Sequence, residues 1–353
     1  MKNNATPYEK VRAIQVSRNK PLSQLIAEMS HTGFQGRRLA EVCDIFEEMI
    51  GARDLTILMG YAGSLSVAGQ WSIVSWLIEQ RYLDVLVATG ANLTEDIVEG
   101  MGRSYYKGTH NVDDERLCAA GYNRYYDIYG TEKDYLEMTE LLGEFVMTLD
   151  ENHKYSSRQF LYLLGSWLGS RGIKSILVSA AQKKIPVFCP GIADSPVGDA
   201  ALIARSRGFS LTIDAIKDYV EFMMLAERVK DTGVFYVGGG VPKDFVQLFA
   251  VSADLLYPGR KIPNRESPLL REGTDETYHP HKYAIQITSD SPQWGGLSGC
   301  TFEEATSWGK ETSEGRKAQC FCDATIALPL LAHVIAERVD GERAGTDFSD
   351  VFK

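Results

Sequence analysis

From Leu55 onward the chain repeats one pattern: a short apolar run, a loop bearing glycine or polar residues, then a longer segment with helical spacing. A parallel sheet with crossover helices produces such an alternation, because parallel neighbours need long connections and both sheet faces become buried. Six runs read as strands: Leu55–Met59, Leu83–Ala88, Ile185–Cys189, Val234–Val237, Tyr283–Ile287 and Ala318–Cys322. The pattern predicts an α/β fold, Rossmann-like and doubly wound around a mostly parallel sheet. Ligands of such sheets bind beyond the carboxyl ends of the strands, so the loops leaving the six runs are the first place to look for chemistry.

Residues 1–50 read as an N-terminal helical extension: Pro21 can open one helix, and Leu39, Val42, Cys43, Phe46 and Ile50 recur at helical spacing in the next. Residues 51–340 are assigned to the catalytic domain and 341–353 to a C-terminal tail. Gly102 to Gly130 lacks periodicity and reads as a long ordered loop or insertion. Tyr135 to Ile176 reads as helical, with Phe160, Leu161, Leu164, Trp167 and Leu168 as a packing stripe. A length of 353 residues at 44% hydrophobic content allows a sizeable core. The formal charge of −10 argues against a nucleic-acid surface and suits a cationic substrate. There is no run of about 18 apolar residues, so no membrane segment is expected and the protein is predicted to be cytoplasmic. The six cysteines contain no C-x-x-C pair and are expected to be reduced, with Cys320 and Cys322 on one strand face. His110 and His153 are isolated, and the loop assigned to Tyr257–His281 carries His279 and His281 without a third ligand, so no metal is expected.

The loops carry the candidate chemistry. Gly60 to Gly69, with Ser64 inside it, is rich in small residues that let a phosphate approach backbone N–H groups, although a tight connection has the same composition. Thr89-Gly90 and Glu95 follow the second run, where Glu95 can hold a ribose hydroxyl or stabilise a helix dipole. Pro190 to Asp199 presents Asp194 and Asp199, which can face a pocket or cap a helix and a turn. Gly238-Gly239-Gly240 ends the fourth run; three glycines there have little stability rationale and allow a dinucleotide to lie against the chain. Between the fifth and sixth runs, Phe302–Gly309 reads as a short helix with Glu304 and Trp308 on one face and Lys310 just past the closing glycine. A carboxylate for a cationic substrate, an indole for its alkyl chain and an amine able to form an imine are thereby collected.

Glu304-Ala305-x-Ser307-Trp308-Gly309-Lys310, followed by Cys322-Asp323-Ala324-Thr325 and Leu328-Pro329-Leu330-Leu331, resembles the C-terminal segment of the deoxyhypusine synthase family, which includes homospermidine synthases. Thr32-Gly33-Phe34-Gln35 and the Gly-Gly-Gly-Val-x-Lys run at 238–243 are similar to further family segments. The resemblance implies that Lys310 is catalytic and that NAD is the cofactor, bound by Ser64, Thr89, Gly90, Glu95, Asp194, Gly238, Gly239, Gly240, Asp323 and Ala324. It places Asp199, Glu304 and Trp308 at the amine substrate. The implied reaction moves an aminoalkyl (aminobutyl) group from a polyamine such as spermidine, through an imine on Lys310, to an acceptor amine. It further implies a homotetramer with sites at subunit interfaces, where an N-terminal arm can cover a neighbour's site.

Three positions depart from the family pattern. Asp244 stands where the family has a histidine at the substrate amine, and serves either as proton acceptor or as an ammonium anchor. Trp294 and Leu297 replace two acids, the second belonging to the family's polyamine site. These changes make putrescine or another small amine as eligible an acceptor as a protein lysine. A plain NAD-dependent amine dehydrogenase would share the glycine loops, accumulate NADH and need no Lys310. A silent NAD-binding scaffold would have no use for Lys310, Glu304 and Trp308.

Overall fold

The computed structural model describes residues 8–256, 260–261, 274–277 and 280–352. Six strands form the central sheet: β1 (Leu55–Tyr61), β2 (Val85–Ala88), β3 (Val187–Phe188), β4 (Asp231–Val237), β5 (His281–Thr288) and β6 (Glu311–Phe321). All are parallel, in the order β6-β5-β4-β1-β2-β3. Every strand expected from the apolar runs is present. The strand order reverses between β1 and β4, so the crevice at their carboxyl ends is the topological switch point of a doubly wound sheet.

The main helices are α1 (Leu22–Met29), α2 (Phe34–Gly51), α3 (Trp71–Glu79), α4 (Glu132–Val146), α5 (Ser157–Ser170), α6 (Ile176–Lys183), α7 (Pro196–Ser206), α8 (Ala215–Met224), α9 (Gly240–Leu256), α10 (Phe302–Ser307) and α11 (Ala324–Arg338), besides short helices at Gly90–Thr94, Asp96–Gly100 and Asp114–Ala119. Side chains alternate across β1: Ile57, Met59 and Tyr61 join the core shared with α2, α3 and α11, whereas Leu58 joins the core under α8 and α9. Burial on both faces is what makes β1, β2 and β4 read as continuous apolar runs.

Several expectations are corrected in detail. Gly102–Gly130 is not merely a loop: Tyr106–Lys107, Tyr122–Tyr125 and Ile128–Thr131 form a small antiparallel sheet beside a helix at Asp114–Ala119. The Tyr135–Ile176 segment is two helices, α4 and α5, the second opened by a Ser156–Gln159 capping box. Strand β6 starts seven residues earlier than expected, directly after Lys310. His281 is buried at the start of β5, with Nδ1 2.7 Å from the Thr232 hydroxyl, rather than in a loop; His279 lies outside the described residues.

Helix α1 and the segment that follows α11 both pack against the layers of the sheet. The α1 N-terminus has no cap of its own, and the Glu337 carboxylate on α11 accepts from the Leu22 and Ser23 N–H groups at 3.2 and 2.7 Å. Near the other end Arg343 pairs with the buried Asp84, and Phe348 is buried in the α8–α9 core.

Candidate active site

Lys310 follows immediately on the helix turn that the sequence leads one to expect. Thr301 caps α10 by accepting from the Glu304 N–H, Trp308 ends the helix, and Gly309 at φ +78° turns the chain out. The strand that starts at Glu311 then holds the lysine against α9. Lys310 Nζ donates to Asp244 Oδ1 at 2.9 Å and to Gln247 Oε1 at 3.4 Å. Its side chain is 11% exposed against 41% for Asp244, so the amine lies at the base of a pocket and the carboxylate faces its mouth.

The pocket has a volume of about 490 Å³. Asp244, Leu248, Val251 and Leu255 share one face of α9 and form a wall; Leu297, Glu304 and Trp308 close the opposite side. Trp308 is largely exposed, with its ring 5.7 Å from Lys310 Nζ. Glu304 reaches the Cys300 thiol, which burial and that carboxylate push up. The groups at the Lys310 end of the pocket are ionic and the walls are aliphatic, as a site for an alkylamine requires. A wider depression beside Asp44 and Arg316 has no comparable convergence of reactive groups on an enclosed base.

A buried polar network ties this pocket to the switch point. Lys243, 1% exposed, donates to Gln286 Oε1 at 3.0 Å and to the Cys300 carbonyl at 2.7 Å, and burial pushes it down to about 8. Gln286 donates onward to the carbonyls of Gly238 and Ser298. Ser298 sits on the glycine run: a Cβ on Gly239 would stand 2.3 Å from the Ser298 Cα, and Gly240 N–H donates to Ser298 Oγ. Gly238 and Gly240 have φ of +69° and +60°. The three glycines therefore do have a stability rationale, which corrects the expectation that they have little.

The remaining candidates lie along the carboxyl edge of the sheet. Ser64 and Asp194 are exposed, Thr89 is half-buried, and Gly90 packs on Ser195 so closely that a Cβ would meet it at 2.5 Å. Asp323 caps α11 by accepting from the Thr325 N–H at 2.7 Å, with Ala324 opening the helix. Glu95 is 6% exposed, its Oε2 has no hydrogen-bond partner among the described residues, and burial pushes it up to about 7. An acid held ready next to the Thr89-Gly90 turn fits the hydroxyls of a nucleotide ribose, so the residues present suit a dinucleotide. Among the described residues no group of three or more His, Cys, Asp or Glu side chains is arranged to hold a metal, and no helix is long and apolar enough to cross a membrane.

Asp199 is not brought to Lys310 within one chain. It accepts from the Tyr135 hydroxyl at 3.3 Å on α7, which follows β3 at one edge of the sheet, whereas Lys310 precedes β6 at the other. Five strand spacings, roughly 24 Å, separate those edges.

The family model described as deoxyhypusine synthase matches residues 24–335, which is most of the chain. The chain belongs to the deoxyhypusine synthase family. Probable deoxyhypusine synthase 2 of Methanosarcina mazei is 44% identical over 92% of this chain and 89% of its own length. The protein of the same description from Archaeoglobus fulgidus is 43% identical over 86% and 95%. A deoxyhypusine synthase-like protein of Elusimicrobium minutum is 32% identical over 94% and 84%. The crystal structure of a candidate deoxyhypusine synthase from Entamoeba histolytica superposes with a TM-score of 0.61 at 14% identity, covering 94% of this chain and 98% of that one; this likeness shows the shared fold.

Within this deoxyhypusine synthase family member, sequence reasoning passed over Gln247, Glu311 and the role of Lys243. Gln247 had a usable signal, standing three residues after Asp244 on a helix and hence beside it. Lys243 was visible as part of the glycine motif but not as a buried strut. Glu311 had none, since its significance comes from packing against α9.

Proposed function

We propose that this protein is an NAD-dependent transferase that moves an aminoalkyl group from a polyamine such as spermidine, through an imine on Lys310, to an acceptor amine. The observation that carries the reading is the Lys310 amine at the base of an aliphatic-walled pocket, 2.9 Å from Asp244 and under the Trp308 ring. NAD would lie along the carboxyl edge of the sheet, with Glu95 on a ribose, and supplies a hydride acceptor and later a hydride donor. Ser64, Thr89, Gly90, Asp194, Gly238, Gly239, Gly240, Asp323 and Ala324 are the other groups assigned to that edge.

The chain's own groups account for the amine chemistry. Lys310 is a nucleophile only when neutral; the Asp244 carboxylate, 2.9 Å away, pairs with its ammonium in the resting site, and engagement of Asp244 by a substrate ammonium would release the amine to react. Glu304 holds a cationic end of the substrate while Trp308 and Leu248 pack its methylenes. The amine of Lys310 bonds to the oxidised substrate carbon and displaces the donor's departing amine; the acceptor amine then displaces Lys310. A site that also uses Asp199 must draw it from a second copy of the chain, which supports a homo-oligomer, a tetramer by family expectation, with shared sites. The acceptor is a small amine such as putrescine or a protein lysine; Leu248 and Leu297 in the wall favour the small amine. A cytoplasmic location accords with these substrates.

The test is mass spectrometry after incubation with NAD and candidate polyamines followed by borohydride. A reduced alkyl adduct on Lys310, absent from Lys310→Ala, supports the transfer, and its mass identifies the group moved. Net NADH accumulation without an adduct would replace the transferase reading by that of a plain dehydrogenase.

A further inference from the structure

We infer that Gln247 and Glu311 are positioning residues for the Lys310 amine, forming a buried two-member relay behind it. The inference rests on the reading of Lys310 as the reacting group. Gln247 is fully buried; its Oε1 accepts from Lys310 Nζ at 3.4 Å and its Nε2 donates to Glu311 Oε1 at 3.1 Å. An ionised carboxylate only accepts hydrogen bonds, so Glu311 orients the amide with its oxygen toward Lys310. A glutamine without that partner could present either end. Glu311 is 1% exposed, and its Oε2 has no hydrogen-bond partner among the described residues.

The relay has a second state within reach. The charged and titratable groups around Glu311 are Lys243 from α9, Lys310 at the preceding position, Lys317 further along β6, and His281, its register partner on β5. Burial pushes Glu311 up to about 7, against the opposing pull of Gln247 and the three lysines. Burial also pushes His281 down to about 3, so it stays neutral and does not compensate the carboxylate. A protonated Glu311 gains an O–H donor beside its remaining acceptor oxygen, and the Gln247 amide, turned end for end, would offer its oxygen to that donor. Rotating the amide to meet it turns Nε2–H toward Lys310. That N–H cannot accept from an ammonium, and against a neutral amine it occupies the lone pair needed to form an imine. Protonation two residues behind the nucleophile thereby switches its orientation and availability.

The test reads amine reactivity without NAD or polyamine. Full-length protein is treated with a small aldehyde and cyanoborohydride at a series of pH values, and modification of Lys310 is quantified by peptide mass spectrometry. The native rate is expected to show a step centred near pH 7 in addition to the amine's own titration. Glu311→Gln is expected to remove the step and lower the rate at pH 8 about fivefold, the effect of one lost hydrogen bond. Gln247→Met, which keeps the packing volume and the carboxylate, is expected to do the same and serves if Glu311→Gln does not fold. A native rate and native pH profile in a folded variant overturns the relay. If the relay behaves as expected but no polyamine adduct forms on Lys310, the transferase reading fails and the relay stands; an adduct with an unchanged labelling profile has the opposite meaning.

Discussion

At the amino edge of the sheet, Asp84 accepts from the Ile57 N–H at 2.7 Å, the Thr346 N–H at 2.8 Å and the Arg343 guanidinium at 2.8 Å. Both side chains of that ion pair are almost fully buried, at 0% and 7% exposure. Lys310 sits in a different setting: its partner Asp244 is 41% exposed, Gln247 is a distant acceptor, and Glu311 behind it keeps one oxygen without a partner among the described residues. A saturated buried pair has one arrangement and locks the C-terminal segment to β1 and β2. An undersatisfied cluster has more than one arrangement of similar energy, which is what a site that must exchange protons and partners requires.

The sharpest way to break this comparison is to remove each centre in turn. Lys310→Ala should abolish the borohydride-trapped adduct and lower transfer at least about a thousandfold, with unfolding in urea changed by less than about 1 kcal/mol. Retained transfer would mean that the pocket is not the reacting site. Arg343→Ala should reverse the pattern: it leaves Asp84 buried without its counter-charge and is expected to cost about 3–5 kcal/mol in a urea titration, while the folded fraction keeps its activity per molecule. A loss below about 1 kcal/mol would show that this edge is not a lock.

Glu95 offers a finer discrimination. Its folded value of about 7 lies above the ordinary 4.5, so between those values the folded state binds more protons than the unfolded one. Stability should therefore fall as pH rises from about 4.5 to 7, with Glu95 contributing as much as about 3 kcal/mol. Glu95→Gln should flatten that part of the curve, and bound dinucleotide should oppose the decline if its hydroxyls satisfy the carboxylate. A slope unchanged in Glu95→Gln would remove this residue from the list of strained acids. The smallest effect is expected from Lys230→Ala. Its partner Asp54 lies at the same amino edge as Asp84, but the side chains are 72% and 68% exposed, so the urea midpoint should move by no more than about 0.5 kcal/mol equivalent. A larger shift would mean that position on the edge, and not burial, sets the value of a pair.

The central sheet was legible because its inner strands β1, β2 and β4 are almost wholly buried and at least one helix lies between each pair of successive strands, so apolar runs and helical spacing alternate along the chain. The small antiparallel sheet at 106–131 was not, since its strands are short, half-exposed and built from Tyr, Asn and Arg, leaving no period of two to detect. The helix ahead of Lys310 was legible through its closing glycine, a local signal. The glycine run after β4 was misread in its reason: nothing in a linear chain announces that Ser298, nearly sixty residues later, lies against Gly239.

The order of residues by itself determined the alternating architecture, the six strands, the motif holding Glu304, Trp308 and Lys310, and the family expectation that follows from them. These are properties of neighbours in sequence, set by side-chain periodicity and by turn chemistry. The tertiary structure alone decided that Asp244 and Gln247 meet the lysine, that Glu311 stands behind them, and that Asp199 is a sheet's width away. Those relations depend on which face of α9 packs toward β6 and on the strand order, and both follow from burying two sheet faces at once, a constraint that acts on the whole chain and leaves no mark at any single position.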